Sequence, residues 1–348
     1  MKRITILILC FASCLSMWGC DNSINKYKDD PYYHDIYSTS NQDSNKDSAD
    51  IDSSNNSNEI TIKPHTAKFA VTDDGNGIEI SYGYGEDVLT VLLNKRGGND
   101  LFDFCKISTS AETIFHSTSS DWHSPFIVKA LDNGDGDTPE SAYFTGGNHQ
   151  TNNFGAGGAA TARTSKLELF ADSKPLSAGD SGTADIIEMR WTNMIQGYNT
   201  TKADGSGREV LQENHILKFI NEKFEAYVEI IPLEDVIIST YYGLQGITSS
   251  YPKVRYIGGA NQGEYEGTSE SGDLTTYRIE CHRGNHKMNI EIDPEFDLGK
   301  RTDTFAHGTK GAFATEYGKC YFTIINKPVA MSANSTYCLR GSWEFAPV

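Results

Sequence analysis

The sequence predicts an all-β protein, a large antiparallel two-sheet β-sandwich or supersandwich, spanning residues 60–348. Three observations carry that expectation. Short runs with inside–outside alternation recur through the region, glycine- and asparagine-rich turn signals separate them, and no segment sustains a helical apolar period. No internal repeat of fixed length is present.

In chain order, "GIEISY" sets Ile78, Ile80 and Tyr82 on one face. "FEAYVEI" sets Phe224, Ala226, Val228 and Ile230 opposite Glu225, Tyr227 and Glu229. "YRIECH" and "KMNIEID" alternate in the same way. The turn signals between such runs are "DDGNG", "ADSK", "KADGSG", "GNH" and "GKR". About a dozen or more antiparallel strands in one domain point to two packed sheets.

The N-terminal sixty residues read differently. Lys2 and Arg3 precede an apolar run from Ile4 to Leu15, followed by "LSMWGC" ending at Cys20. This is the pattern of a secretory signal, with an apolar run too short to span a membrane. Gly19-Cys20 resembles the lipobox of bacterial lipoproteins, which implies acylation of Cys20; a simple cleaved leader with an incidental cysteine is the alternative. The following Asn-, Ser- and Asp-rich stretch cannot bury enough apolar surface to offset its chain entropy. Its acidic residues just behind Cys20 resemble the export signal of Bacteroidetes surface lipoproteins. The expected organisation is a signal peptide over 1–19, a lipidated disordered acidic tether over 20–59, and a β-sandwich domain over 60–348. That implies a lipid-anchored protein of the outer membrane, exposed at the cell surface.

Thirty Lys and Arg against 47 Asp and Glu give a net charge of −17, and loss of Lys2 and Arg3 with a leader makes it more negative. Such a surface repels phosphate backbones, so nucleic acid is excluded as a partner. It also opposes an anionic polysaccharide unless a local basic patch intervenes. Of seven cysteines, Cys105, Cys281, Cys320 and Cys338 fall in the expected domain. Cys320 and Cys338 lie on two strand-like runs with a short connection, which makes them the preferred disulfide; buried thiols are the alternative. No Gly-x-Ser-x-Gly, His-Glu-x-x-His or P-loop occurs, which removes serine hydrolase, zinc protease and nucleotide chemistry.

Three regions hold candidate functional residues. In Ser120 to Asn152, Trp122 offers a flat face beside Asp121, His123, Asn148 and His149, the mixture that binds sugars: ring against C–H, amides and carboxylates against hydroxyls. The same stretch holds Asp132, Asp135 and Asp137 in a glycine-rich loop. Calcium takes ~6–8 oxygens, several of which such a loop can supply, although an acidic turn explains the same letters. The stretch is expected to form two strands whose connection makes one wall of a glycan cleft. The second region places Tyr198, Arg208, Asn193, Glu213 and His215 around a wide connection. The third, "EDVIISTYYGLQG", ends an apolar strand with Tyr241, Tyr242 and Gln245, expected on the opposite wall.

A tyrosine with a nearby histidine resembles the pair used by β-sandwich polysaccharide lyases. That resemblance implies proton abstraction α to a uronate carboxylate by one group, protonation of the leaving oxygen by the other, and stabilisation of the enolate-like charge by an amide or arginine. His149 or His123, Tyr241 or Tyr242, and Asn148 or Arg163 match those roles by residue type. Three functions therefore remain: a polysaccharide lyase, a glycoside hydrolase using paired carboxylates among Asp121, Glu213, Glu234 and Asp235, and a non-catalytic glycan-binding or adhesive protein.

Overall fold

The computed structural model describes residues 66–132, 134, 142–147, 159–200 and 207–348. Among these are 23 strands and one short 3-10 helix, Asp297–Lys300; no α-helix occurs among the described residues. The all-β expectation holds.

Two large sheets face one another. The smaller has six strands in the spatial order Thr113–His116, Leu101–Ser108, Asp87–Arg96, Gly77–Tyr84, Ala67–Val71 and Ser181–Ala184. The larger has ten, and its centre runs Arg278–Arg283, His286–Ile292, Tyr337–Pro347, Lys223–Pro232, Glu209–Ile220, Ile187–Gln196 and Ala162–Ala171. Two small sheets complete the fold. One joins Val329–Met331, Val236–Tyr241 and Phe126–Ala130; the other joins Gln245–Gly246, Cys320–Phe322, Ala312–Ala314 and Ser269–Glu270. All recorded strand pairs are antiparallel.

Alternation explains which faces meet. Ile78, Ile80 and Tyr82 are buried, as are Phe224, Ala226, Val228 and Ile230. Burying such side chains stabilises by about 1.5–3 kcal/mol each, which is what drives the two sheets together. Phe104 of the six-stranded sheet is the hub. Its ring lies 5.3 Å from Phe224 and 5.2 Å from Trp343 of the opposite sheet, and 5.0 Å from Trp122. Tyr227, on the other face of its strand, is also buried, because the segment around Phe296 covers it with ring centroids 6.1 Å apart.

The cysteine pairing differs from the expectation. Cys320 and Cys338 are not joined: Cys320 Sγ sits 3.7 Å from Cys281 Sγ, whereas Cys338 Sγ sits 3.1 Å from the Tyr227 hydroxyl. Nearness in sequence misled here. Between the two cysteines the chain passes through Val329–Met331, which joins a different sheet, so their strands never become neighbours.

Candidate functional site

One cleft of about 260 Å³ gathers residues from four segments. Asp121 and Pro125 come from the loop before the strand Phe126–Ala130, and Phe144 from the chain that bridges back to it. Tyr242 and Gln245 follow the strand Val236–Tyr241. Phe313, Thr315, Tyr317, Lys319 and Tyr321 come from one hairpin.

The hairpin presents its residues by parity. Phe313 pairs with Tyr321 across it, while Ala312, Ala314, Cys320 and Phe322 are buried on the other face. The backbone N–H of Thr315 donates to the Lys319 carbonyl at 2.9 Å and closes the turn. Tyr317, at the tip, is 78% exposed. Tyr242 packs on this wall, its ring 4.9 Å from Tyr321 and 5.5 Å from Phe313, with Phe144 at 6.1 Å on its other side.

Gly243 sets the next residues. Its φ is +70°, a region glycine enters without a Cβ penalty, and a Cβ there would stand 2.5 Å from Leu339 Cδ2. The resulting turn breaks strand alternation and returns Gln245 to the cleft floor. Gln245 N–H donates to the Trp122 carbonyl at 2.8 Å, and its own carbonyl accepts the Trp343 indole N–H at 2.8 Å. Its side-chain Oε1 and Nε2 are buried without a hydrogen-bond partner among the described residues. Above it, Lys319 Nζ donates to Asp121 Oδ2 at 3.0 Å, and the Asp121 side chain is 1% exposed. The charges of this pair offset one another. Burial pushes the Tyr242 hydroxyl above its usual range, and burial together with the Asp121 charge does the same to Tyr321. Both therefore stay neutral hydrogen-bonding groups.

Of the residues expected from sequence, Asp121, Tyr242 and Gln245 are brought together here. Trp122 and Tyr241 are not in the cleft. Trp122 is fully buried between Phe104, Phe115 and Phe345, and Tyr241 is fully buried and stacked on Phe126 at 4.5 Å. Each is the chain neighbour of a cleft residue and points to the core instead. His123 also faces the interior, with Nδ1 3.3 Å from Asp103 Oδ1. Arg163 binds Glu209 through two contacts of 2.7 and 3.1 Å, away from the cleft lining. Arg208 is held by Glu234, with Nε 2.5 Å from Oε1, and by the Asp132 carbonyl. Tyr198 is half-buried, its ring 5.8 Å from Tyr143. Asp132 Oδ1 accepts the Gly134 N–H at 2.9 Å, a local turn contact. Cys20, Asp135, Asp137, Asn148 and His149 lie outside the described residues. No group of three or more metal-ligating side chains occurs among the described residues.

Glu213 and His215, expected near a connection, are inward-facing residues of the strand Glu209–Ile220. His215 Nε2 lies 2.8 Å from Glu213 Oε2, and Asn193 Nδ2 donates to the same oxygen at 3.2 Å. The His215 ring stacks on Trp191 at 4.4 Å and stands 4.6 Å from that of His123. Burial pulls the His215 pKa below its ordinary 6.5, against the pull of Glu213. These groups form a polar core beneath the cleft, out of reach of a surface ligand.

Phe313, Tyr317, Lys319 and Tyr321 escaped the sequence reading. Their signal is visible in "AFATEYGKCYF", where every second residue from Phe313 is a ring, a hydroxyl or a cation.

No protein-family model matches the chain, and no curated protein matches it. Among solved structures, the alpha-galactosidase from Lactobacillus brevis is similar over 79% of this chain, with a TM-score of 0.42 and 8% identity. A galactose mutarotase-like protein from Clostridium acetobutylicum is similar over 82% of this chain and 100% of its own, with a TM-score of 0.34 and 11% identity. The chain spans 40% of the length of the galactosidase.

Proposed function

We propose that this chain is a surface-displayed glycan-binding protein whose sugar site is the cleft over Gln245. The carrying observation is the Gln245 amide, buried without a hydrogen-bond partner among the described residues, in the lining of a cleft walled by aromatic rings. Buried polar groups are normally satisfied, so an unpaired amide at a cleft floor suits a ligand that supplies both a donor and an acceptor. A sugar hydroxyl does both, and its ring C–H face suits Tyr242, Phe313 and Tyr321. The offsetting Asp121–Lys319 pair favours a neutral sugar over a uronate. The cavity has room for a single ring-sized unit, being slightly smaller than the ~300–1,000 Å³ of pockets for drug-sized ligands. Display follows from the leader reading, with Cys20 acylated and residues 20–59 as tether.

Binding is favoured over catalysis by the same geometry. Of the lyase candidates among the described residues, only Tyr242 reaches the cleft, and burial disfavours the tyrosinate that proton abstraction would need. A lyase would need His149 as its partner. A hydrolase needs two carboxylates, and Asp121 is the one that lines the cleft among the described residues.

The test incubates the mature chain with neutral and acidic polysaccharides and follows retention, unsaturated products and reducing ends together. Retention on a neutral glycan without product, lost in Gln245→Ala, is the expected result. Unsaturated product selects the lyase, and reducing ends alone the hydrolase. Separately, Cys20→Ser is expected to move the protein from the detergent to the aqueous phase; unchanged partitioning removes the lipid anchor.

A further inference from the structure

We infer that Cys281 and Cys320 are joined as a disulfide in the mature protein, which ties the cleft wall to the ten-stranded sheet. The two sulfurs are 3.7 Å apart and both residues are fully buried. Closing to the ~2.05 Å of a bonded pair is a side-chain adjustment, whereas the other two cysteines face different groups. Cys105 Sγ lies 3.8 Å from the Asn94 carbonyl, and Cys338 Sγ lies against the Tyr227 hydroxyl.

The two strands belong to different sheets. Cys281 lies mid-strand in Arg278–Arg283 of the ten-stranded sheet, while Cys320 begins a strand of the small sheet that carries the cleft hairpin. Gly246 is the register partner of Cys320. A Cβ at Gly246 would stand 2.8 Å from Cys320 Sγ, 2.3 Å from Ile290 Cδ1 and 2.9 Å from Met288 Cε. Glycine thus leaves the space in which the two sulfurs meet.

The chemistry is a two-electron oxidation. Two S–H bonds break and one S–S bond forms; two electrons and two protons pass to the disulfide of a thiol–disulfide oxidant, which leaves as a dithiol. Such oxidants act on exported chains, so the physiological form rests on the leader reading above. The contact with Cys320 and burial push the Cys281 thiol well above its usual range. The thiolate is the reactive species, so the bond forms before the two sheets close over it. Its consequence is positional: Lys319 and Tyr321 flank Cys320, so the cross-link fixes the cleft wall to the large sheet.

The experiment uses the full chain in two preparations, one exported through an oxidising compartment and one refolded from denaturant in a glutathione redox buffer. Each is denatured without reductant, treated with iodoacetamide, digested and mapped by mass spectrometry. The expected result is one cross-linked pair containing Cys281 and Cys320, about 2 Da lighter than its separate thiols, with Cys105 and Cys338 alkylated. The bond closes a span of 39 residues, so reduction is expected to lower the Tm by on the order of 10 °C. Alkylation of all four cysteines in the refolded chain, or a Cys320–Cys338 cross-link in either preparation, overturns the proposal. The refolded arm does not depend on export, so a wrong leader reading is distinguished from a wrong pairing.

Discussion

Two groups of aromatic rings, built partly from adjacent residues, end in opposite environments. Trp122 and Tyr241 are sealed in the core, against Phe104 and Phe126 respectively, with no exposure. Asp121 and Tyr242, one residue away from each, line the cleft. The rings of both groups meet at similar spacings, so ring contacts alone do not mark a site. Neighbouring charge and amide groups do: Gln245 and the Asp121–Lys319 pair line the cleft, whereas Trp122 is packed among Phe104, Phe115, Trp343 and Phe345. Under the proposed function, an aromatic residue serves as a ligand platform where its strand parity turns it toward polar groups.

The largest expected effect lies on the core side. Trp122→Ala is expected to lose about 3–5 kcal/mol of stability, read by urea denaturation, while the folded fraction keeps its glycan retention. A small loss of stability with a large loss of retention would erase the distinction between the two groups. Gln245→Leu sharpens it from the other side. Removing a buried amide without a partner is expected to raise stability by about 1–2 kcal/mol and weaken glycan retention at least tenfold. A destabilised variant with unchanged retention would make Gln245 a structural residue.

The polar core beneath the cleft gives a pH signature. Burial holds His215 below 6.5, so as pH falls through 6.5 the unfolded chain takes up a proton that the folded chain refuses. Stability is expected to fall by up to about 1.4 kcal/mol per pH unit from there down to the folded pKa, and to be level in this respect above it. His215→Asn should flatten that slope; a slope unchanged by the substitution would assign the acid sensitivity to other groups. The smallest stability effect is at the hairpin tip. Tyr317→Ala is expected to change stability by less than about 0.5 kcal/mol, yet to reduce glycan retention several-fold in a pull-down. Full retention would place the ligand deeper, over Gln245 alone.

Much of the architecture was legible because burial imposes a two-residue period on each strand. "GIEISY" and "FEAYVEI" present the predicted faces to the core. Asp121, Tyr242 and Gln245 were legible as polar and aromatic groups near strand ends. What their neighbours do was not, because the strand before Tyr242 shifts register between Ile238 and Thr240, and Gly243 breaks alternation again before Gln245. Glu213 and His215 read as polar connection residues, yet they sit inward on a long strand, where His215 Nε2 pairs with Glu213 Oε2. The cysteine pairing was illegible for a different reason. Sequence spacing gives no measure of which sheet a short strand joins, and Cys320 joined one that lies against Cys281.

The place of the first described strand has a mechanical consequence. Ala67–Val71 is not at a sheet edge: it lies between Gly77–Tyr84 and Ser181–Ala184, with four register pairs on each side. Tension applied along the chain from its N-terminal side therefore loads two rows of hydrogen bonds in shear at once. An edge strand under the same pull would load a single row. Phe69, in the middle of the strand, anchors it against Ile80 on one flank and Gly182 on the other. The strand can thus act as a clamp, holding the six-stranded sheet together against a pull that enters from residue 66.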